Sequence, residues 1–214
     1  MVPMFRNRSE AGLRLAERLD ELHLADPLIL GLPRGGVPVA RAVADHLRAD
    51  LDFVLVRKLG HPRQPELAIG AIGEYGHIVV NDVIIKQTGV SESELAGVVE
   101  RERSELARRV ETYRSARPAF DIADRLVVLV DDGIATGATM RAAVEVVRSA
   151  PAAGVIVAVP VAPPSAIESF SDLVDEVVVV EVPQAMGSVG QFYADFSQTT
   201  DQEVVQALLG REGG

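Results

Sequence analysis

Two adjacent carboxylates, Asp131 and Asp132, stand between a short apolar run and a loop of small and hydroxyl residues. The loop, residues 135–139, leads into a helical pattern, so its free backbone N–H groups and two hydroxyls lie at a helix N-terminus. Such a terminus attracts anions, phosphate above all, because its N–H groups are unpaired and the helix dipole is positive there. Carboxylates would repel a bare phosphate, so we expect this pair to bind a vicinal diol or Mg²⁺. An ordinary turn between strand and helix is the alternative.

Two other loops carry cationic side chains directly after apolar runs. Pro33-Arg34-Gly35-Gly36 follows residues 28–32, and its glycine pair would let the backbone approach a ligand closely. Arg57 and Lys58 follow residues 52–56, where two buried cations would be costly unless anions paired with them. The alternatives are a tight turn with an exposed arginine and simple surface exposure of the Arg-Lys pair.

Residues 61–66 contain two prolines and no periodicity, which predicts a loop. His61 and Glu66 are candidates for acid/base chemistry there, although a histidine beside proline is commonly just solvated. Residues 68–73 and 77–80 then predict an antiparallel hairpin.

The surrounding pattern predicts the elements that position these loops. Apolar runs at 28–32, 52–56, 126–130, 154–159 and 177–182 alternate with helical segments, which is typical of a doubly wound parallel α/β sheet. Further helices are expected over 9–23 with Ser9 as N-cap, over 91–114 with a Ser91/Glu94 capping box, and after Thr200.

Composition limits the functional classes. The chain has 214 residues, a net charge of −10 and no cysteine, which excludes disulfides and thiol catalysis. The basic residues at 101, 103, 108 and 109 alternate with acids and indicate a solvated face, so no nucleic-acid site is expected. No signal peptide or membrane-spanning run is visible, and we expect a soluble, cytoplasmic protein without membrane partners.

The segment 126–139 closely resembles the phosphoribosyl-pyrophosphate (PRPP) motif of type I phosphoribosyltransferases. The resemblance covers residues 28–182, with three motifs in family order, and Ala-Thr-Gly-x-Thr-Met is most similar to the adenine group. It implies a doubly wound, mainly parallel sheet in one domain over 1–214. The core would span about 28–182, a flap hairpin and long helix about 60–115, and a small hood about 183–214.

The resemblance also implies the roles of individual residues. Asp131 and Asp132 would hold the ribose hydroxyls and, mainly through the substrate, Mg²⁺. The residues that would wrap the 5-phosphate are Ala135, Thr136, Gly137, Ala138 and Thr139. Those that would contact pyrophosphate are Arg34, Gly35, Gly36, Arg57 and Lys58, with a non-proline cis peptide near Arg34. The implied catalytic residues are Arg34, Lys58, Asp131 and Asp132.

The implied reaction is displacement of pyrophosphate from PRPP by a nitrogenous base or similar acceptor. Members that use 6-oxopurines carry an acid where this chain has Ala135, so hypoxanthine and guanine are not expected. Glu66 of the flap and Phe192 and Tyr193 of the hood are further candidates; the aromatics could stack on a base or simply seal the sheet edge. A homodimer is expected. The alternatives are a PRPP- or nucleotide-sensing regulator without turnover and a hydrolase or phosphorylase of phosphoribosyl compounds.

Overall fold

The computed structural model describes residues 3–74, 78–115 and 118–210, except for the side chain of Glu66. Its main sheet has five parallel strands, in the order β2-β1-β6-β7-β8. The strands are β1 (Leu28–Gly31), β2 (Asp50–Phe53), β6 (Leu126–Val130), β7 (Gly154–Val161) and β8 (Glu176–Glu181). The predicted mainly parallel α/β fold is therefore confirmed.

Alternate side chains of the sheet face two separate cores, because successive residues of a strand point to opposite faces. Ile29 and Val128 pack on the face covered by α1 (Arg8–Asp20), α2 (Gly36–Leu47) and α7 (Asp201–Leu209). Leu30 and Leu129 pack on the other face, under α5 (Ala138–Arg148) and α6 (Pro164–Glu168). Burial on both faces explains why these strands appear in the sequence as continuous apolar runs.

A second, antiparallel sheet comprises β3 (Val56–His61), β4 (Gln64–Gly73) and β5 (Ile78–Val80). It packs against both α4 (Glu92–Arg114) and α5, and the short helix α3 (Asp82–Thr88) follows it. The predicted hairpin between β4 and β5 is confirmed, whereas residues 75 and 76 of its predicted turn, 74–76, lie outside the described residues.

Two predictions in this region are wrong. The run 52–56 is not one strand, because the parallel strand ends at Phe53 and the antiparallel β3 begins at Val56. The stretch 61–66 is not a loop either, since His61 pairs with Gln64 across a tight turn. The apolar sequence 53–56 hides the point at which the chain leaves one sheet for the other.

The helix ends mostly follow their capping signals. The Ser91/Glu94 and Thr200/Glu203 capping boxes are both present, which confirms these predictions. At α1, however, the N-cap is Asn7 and not Ser9, and the Asn7 side chain accepts the Glu10 N–H. Among the described residues no helix is long and apolar enough to cross a membrane.

Residues 4–6, near the start of the described chain, pair with a segment that lies just before α7. The Met4 and Phe5 N–H groups both donate to the Phe192 carbonyl at 2.9 Å, and the Ala194 N–H donates to the Phe5 carbonyl at 2.8 Å. The Tyr193 ring packs against the rings of Phe5 and Phe196, with centroids 5.3 and 5.0 Å away. The predicted hood spanned about 183–214. From here on, the hood means only residues 189–197 together with residues 4–6, which pair with them.

Candidate functional site

The carboxyl ends of β1 and β6 bring the two central loops together. These strands are neighbours, and the Leu32 N–H donates to the Val130 carbonyl at 2.8 Å just beyond them. A Cβ on Gly36 would lie 2.6 Å from that carbonyl oxygen, and a Cβ on Gly35 would lie 2.0 Å from Asp132 Oδ2. Only glycines allow this approach, so the glycine pair and the acid pair form one site.

The backbone before this glycine pair is unusual. The peptide bond between Pro33 and Arg34 is cis, which confirms the predicted non-proline cis peptide. Arg34 itself is half-buried.

The loop before α5 has the form expected of an anion cradle. Gly137 has φ of +76°, the left-handed conformation that favours glycine, and α5 begins immediately after it. No side chain caps the first turn of α5, so its N–H groups are not used by a capping residue. Four loop residues are solvent-exposed: Ala135, Thr136, Ala138 and Thr139.

The acid pair is partly buried and partly neutralised. The Arg8 Nε donates to Asp132 Oδ2 at 2.9 Å, and the Asp132 N–H donates to Asp131 Oδ1 at 2.8 Å. Burial, reinforced by the neighbouring Asp132 carboxylate, raises the pKa of Asp131 well above its usual range. Burial also raises the pKa of Asp132, although the Arg8 charge opposes that shift.

Each of these carboxylates retains one oxygen for a ligand. Within the described part of the chain, no hydrogen bond from another residue reaches Asp131 Oδ2 or Asp132 Oδ1. Neither atom is among the fully buried unpaired ones, so both remain accessible to solvent. Two accessible acceptors on adjacent carboxylates suit a vicinal diol.

Arg8 links the hood to the acid pair, and sequence reasoning did not find it. Besides Asp132 it donates to the Ser197 carbonyl at 2.7 Å and lies over the Phe196 ring at 4.1 Å from the centroid. The Tyr193 hydroxyl donates to the Asp132 carbonyl at 2.6 Å. No local signal marks Arg8, because its partner Asp132 lies 124 residues away.

The hood aromatics are mostly used for packing. Phe192 is 4% exposed and Tyr193 is 5% exposed, and both belong to a small apolar cluster with Phe5. These contacts fit the edge-sealing alternative, while stacking on a base stays a prediction.

The cationic residues lie on the opposite side of the glycine loop. Arg57 and Lys58 belong to β3 rather than to a loop, and they line a cavity of about 480 Å³ that also touches Pro33 and Thr139. Lys58 is exposed, whereas Arg57 donates to Glu102 Oε2 at 2.7 Å.

Helix α4 supplies two more cations to this cavity. Arg101 and Arg109 line it. Arg101 is exposed, as predicted for a solvated face, whereas Arg109 is half-buried. Hydrophobic periodicity could not reveal that these arginines line a cavity. It identifies the apolar face of a helix but not the elements that lie beside the polar face.

The flap candidates differ in outcome. His61 also lines the cavity and is 5% exposed, so it is not a solvated histidine. The side chain of Glu66 lies outside the described residues.

The donor set bears on the expected metal. The described residues contain no group of three or more His, Asp or Glu side chains that could hold an ion. Mg²⁺ commonly takes one or two protein carboxylates and completes its octahedron with water and substrate oxygens. Asp131 and Asp132, with one accessible oxygen each, fit that mode of binding.

Comparison with known proteins gives consistent matches. The TT1426 protein of Thermus thermophilus is 47% identical, with a TM-score of 0.90 over 96% of this chain and 97% of that chain. A Mycobacterium tuberculosis H37Rv protein, provisionally named phosphoribosyl transferase Rv0571c, is 46% identical over 205 residues. That alignment covers 96% of this chain but 46% of the other, so the chain spans about half the length of its curated relatives.

A more distant structure supports only the fold. The AQ2163 protein of Aquifex aeolicus has a TM-score of 0.50 at 12% identity, over 86% of this chain and 76% of that chain. The family model described as phosphoribosyl transferase domain matches residues 9–196, a range that contains the acid pair, the glycine loop and the cationic strand. The chain therefore belongs to the phosphoribosyl transferase domain family.

Proposed function

We propose that the chain is a Mg²⁺-dependent phosphoribosyltransferase that binds PRPP and displaces pyrophosphate with a nitrogenous base or similar acceptor. One arrangement carries the proposal. An exposed, uncapped helix N-terminus stands next to two carboxylates with accessible oxygens, and a glycine loop closes against both.

Binding of the ribosyl 5-phosphate follows from the α5 terminus. Its N–H groups and the Thr136 and Thr139 hydroxyls would donate to the phosphate, assisted by the helix dipole. Asp131 and Asp132 would accept hydrogen bonds from the ribose 2- and 3-hydroxyls, which fixes the anomeric carbon relative to the leaving group. Such fixation removes much of the entropic part of the barrier.

Departure of pyrophosphate requires that its growing negative charge be stabilised. Arg34, Arg57 and Lys58 would provide this, together with the backbone of Gly35 and Gly36. Mg²⁺, held mainly by substrate oxygens and by Asp131 and Asp132, would act as template and Lewis acid. Ala135 carries no acid for a 6-oxopurine, so an adenine-like or other acceptor is favoured.

A regulatory protein that binds PRPP without turnover is the second candidate. The Arg8–Asp132 ion pair favours it in one respect, because an arginine already occupies one of the four carboxylate oxygens.

The test is calorimetric titration with PRPP and Mg²⁺, followed by pyrophosphate detection across a panel of free bases and with water alone. Binding with release in the presence of one base supports the enzyme and names its acceptor. Binding without release in any mixture supports the regulator, and release with water as sole acceptor supports a hydrolase. Absence of PRPP binding contradicts both principal proposals.

A charge-matched pair of variants makes the test site-specific. Asp131→Asn with Asp132→Asn removes several charge-assisted hydrogen bonds and should weaken PRPP binding by about a hundredfold or more. Asp20→Asn with Glu21→Gln removes the same charge from an exposed adjacent pair at the end of α1 and should leave affinity unchanged. Equal affinities in both variants would reject the site.

A further inference from the structure

Asp132 is held at two of its atoms by contacts that the hood provides or supports. The Tyr193 hydroxyl donates to its backbone carbonyl at 2.6 Å, and the Arg8 Nε donates to its side-chain Oδ2 at 2.9 Å. By contrast, the side chain of Asp131 accepts a hydrogen bond, among the described residues, from the adjacent Asp132 N–H alone. Distant parts of the chain therefore fix the orientation of Asp132 but not that of Asp131.

Arg8 is itself fixed by further contacts. Its Nη1 donates to the Ser197 carbonyl at 2.7 Å, and its guanidinium lies over the Phe196 ring at 4.1 Å from the centroid. Its backbone begins α1, where the Asn7 side chain caps the helix. Because a planar guanidinium that is already held loses little further freedom with each hydrogen bond, Arg8 is a rigid partner for Asp132.

These contacts decide which oxygen of Asp132 faces a ligand. A Cβ on Gly35 would lie 2.0 Å from Oδ2 and 3.2 Å from the Arg8 Nε, so Oδ2 is enclosed between the glycine loop and Arg8. Oδ1, to which no described residue donates, is thereby left on the accessible side. The position of such a group matters, since a misplacement of about 1 Å can cost about a hundredfold in rate.

We propose that Arg8 and Tyr193 are positioning residues for ribose recognition, which act through Asp132 by holding its Oδ1 toward a ribose hydroxyl. The ion pair at Oδ2 stays intact in the complex, because the hydroxyl needs only one acceptor. The hood thus contributes to sugar affinity without touching the sugar. The inference deepens the proposed function and rests on it for the identity of the ligand.

The alternative is that these residues only fasten the hood, and α1 offers a matched control for it. Arg14 makes the same three kinds of contact as Arg8. Its Nη2 donates to Glu181 Oε1 at 2.8 Å, its Nη1 donates to the Met4 carbonyl at 3.1 Å, and its guanidinium lies 4.9 Å from the centroid of the Phe5 ring. It therefore fastens the hood to β8 and not to the acid pair.

The experiment compares two ligands that differ only in the hydroxyls. The full chain and its variants are titrated calorimetrically with ribose 5-phosphate and with 2,3-dideoxyribose 5-phosphate, both without Mg²⁺ so that the result is independent of metal loading. The measured quantity is the ratio of the two affinities. A general change of charge or of phosphate binding affects both ligands and cancels in this ratio.

The arginine variants test the ion pair. Arg8→Met should lower the ratio by about tenfold, because the Asp132 carboxylate is no longer oriented. Arg8→Lys keeps the charge and one donor and should recover part of the loss. Arg14→Met should leave the ratio within about twofold of its original value. Equal ratios in Arg8→Met and Arg14→Met would show that Arg8 only fastens the hood, and would overturn its positioning role.

Tyr193→Phe tests the second contact with the smallest change. It removes the hydroxyl that reaches the Asp132 carbonyl and keeps the ring that packs against Phe5 and Phe196. The ratio should fall by about threefold or more, as expected for loss of one hydrogen bond at the site. Thermal melting identifies any variant that does not fold; if Arg8→Met is one, Arg8→Lys and Tyr193→Phe decide. An unchanged ratio in both overturns the inference.

The outcomes also separate this inference from the proposed function. If PRPP and ribose 5-phosphate bind but the ratio is the same in every variant, the positioning role fails while the proposed function stands. If the unchanged chain binds both sugar phosphates equally well, the ribose contact of the acid pair fails, and this inference fails with it. If neither PRPP nor ribose 5-phosphate binds, the proposed function itself fails.

Discussion

Two partly buried arginine–carboxylate clusters in the described residues differ in how many of their carboxylate oxygens accept hydrogen bonds. The acid-pair cluster consists of Arg8, Asp131 and Asp132 at the carboxyl end of β6. The edge cluster consists of Arg114, Asp52 and Glu74 beside β2, an outer strand of the parallel sheet.

In the edge cluster every carboxylate oxygen accepts a hydrogen bond. Arg114 donates to Asp52 Oδ1 at 2.6 Å and to both Glu74 oxygens at 2.7 and 3.1 Å. The Phe120 N–H reaches Asp52 Oδ2 at 3.0 Å. In the acid-pair cluster, one oxygen of each carboxylate receives no such bond from the described residues and is accessible.

This difference separates a structural cluster from a binding one. A saturated cluster has no acceptor left for a ligand and contributes rigidity, whereas solvent-accessible carboxylate oxygens remain available as acceptors for a ligand. Burial alone would not distinguish the clusters, because both contain partly buried charges.

Removing the edge arginine should have the largest effect. Arg114→Met would leave Asp52 and Glu74, which are 2% and 4% exposed, buried without their cation. Breaking such a cluster typically costs about 3–5 kcal/mol. Urea denaturation measures the loss; a change below about 1 kcal/mol would show that the cluster is not structural.

The edge cluster should also make stability depend on pH. Burial raises the pKa of Glu74 from 4.5 to about 7, although Arg114 opposes the shift. Between these values the folded state holds the extra proton, so the free energy of unfolding should fall as pH rises, by about 3 kcal/mol in total. Urea denaturation from about pH 4 to about pH 8 measures the free energy of unfolding, which should vary less with pH in Glu74→Gln than in the unchanged chain. The same pH dependence in both proteins would contradict the prediction.

Removing the site arginine should cost less, because solvent already reaches the acid pair. Arg8→Met should lower the free energy of unfolding by about 2 kcal/mol through the unpaired Asp132. Asp132→Asn in the same chain should restore part of that loss, and the double-mutant cycle measures the coupling. Additive effects would mean that the 2.9 Å contact contributes little.

The last contrast concerns one added methyl group at each of two glycines. Gly35→Ala would push against Asp132 and should cost about 1–3 kcal/mol and weaken PRPP binding. At Gly97, inside α4, an added Cβ meets nothing within 4 Å, so Gly97→Ala should gain up to about 1 kcal/mol without changing binding. Calorimetric titration measures the PRPP affinity of the two variants, and urea denaturation measures their free energy of unfolding. Equal changes in both variants would contradict the prediction.

The sequence revealed the parts of the site whose signals are local. The acid pair, the glycine loop and the α5 terminus each follow an apolar strand within a few residues, and adjacent parallel strands bring such loops together. The capping boxes at Ser91 and Thr200 were also predictable from neighbouring residues, whereas the cis peptide was expected from the family resemblance.

What the sequence concealed depends on contacts between distant segments. Arg8 meets Asp132 only because α1 packs against β7 and β8 and residues 4–6 pair with residues 192–195. Likewise, whether Arg101 or Arg103 faces the cavity depends on how α4 lies on β3. Neither spacing nor periodicity contains that information.

The pairing of residues 4–6 with residues 192–195 has a consequence for synthesis. On the ribosome Arg8 is made early, Asp132 much later and Ser197 later still, so a nascent chain could form its parallel sheet before Arg8 is clamped. We expect a chain that stops before Phe192 to retain the sheet. In such a chain, however, Arg8 would not be held in place beside Asp132. Synthesis must therefore reach Ser197, just before α7, before Arg8 can be held beside Asp132 by all of its contacts.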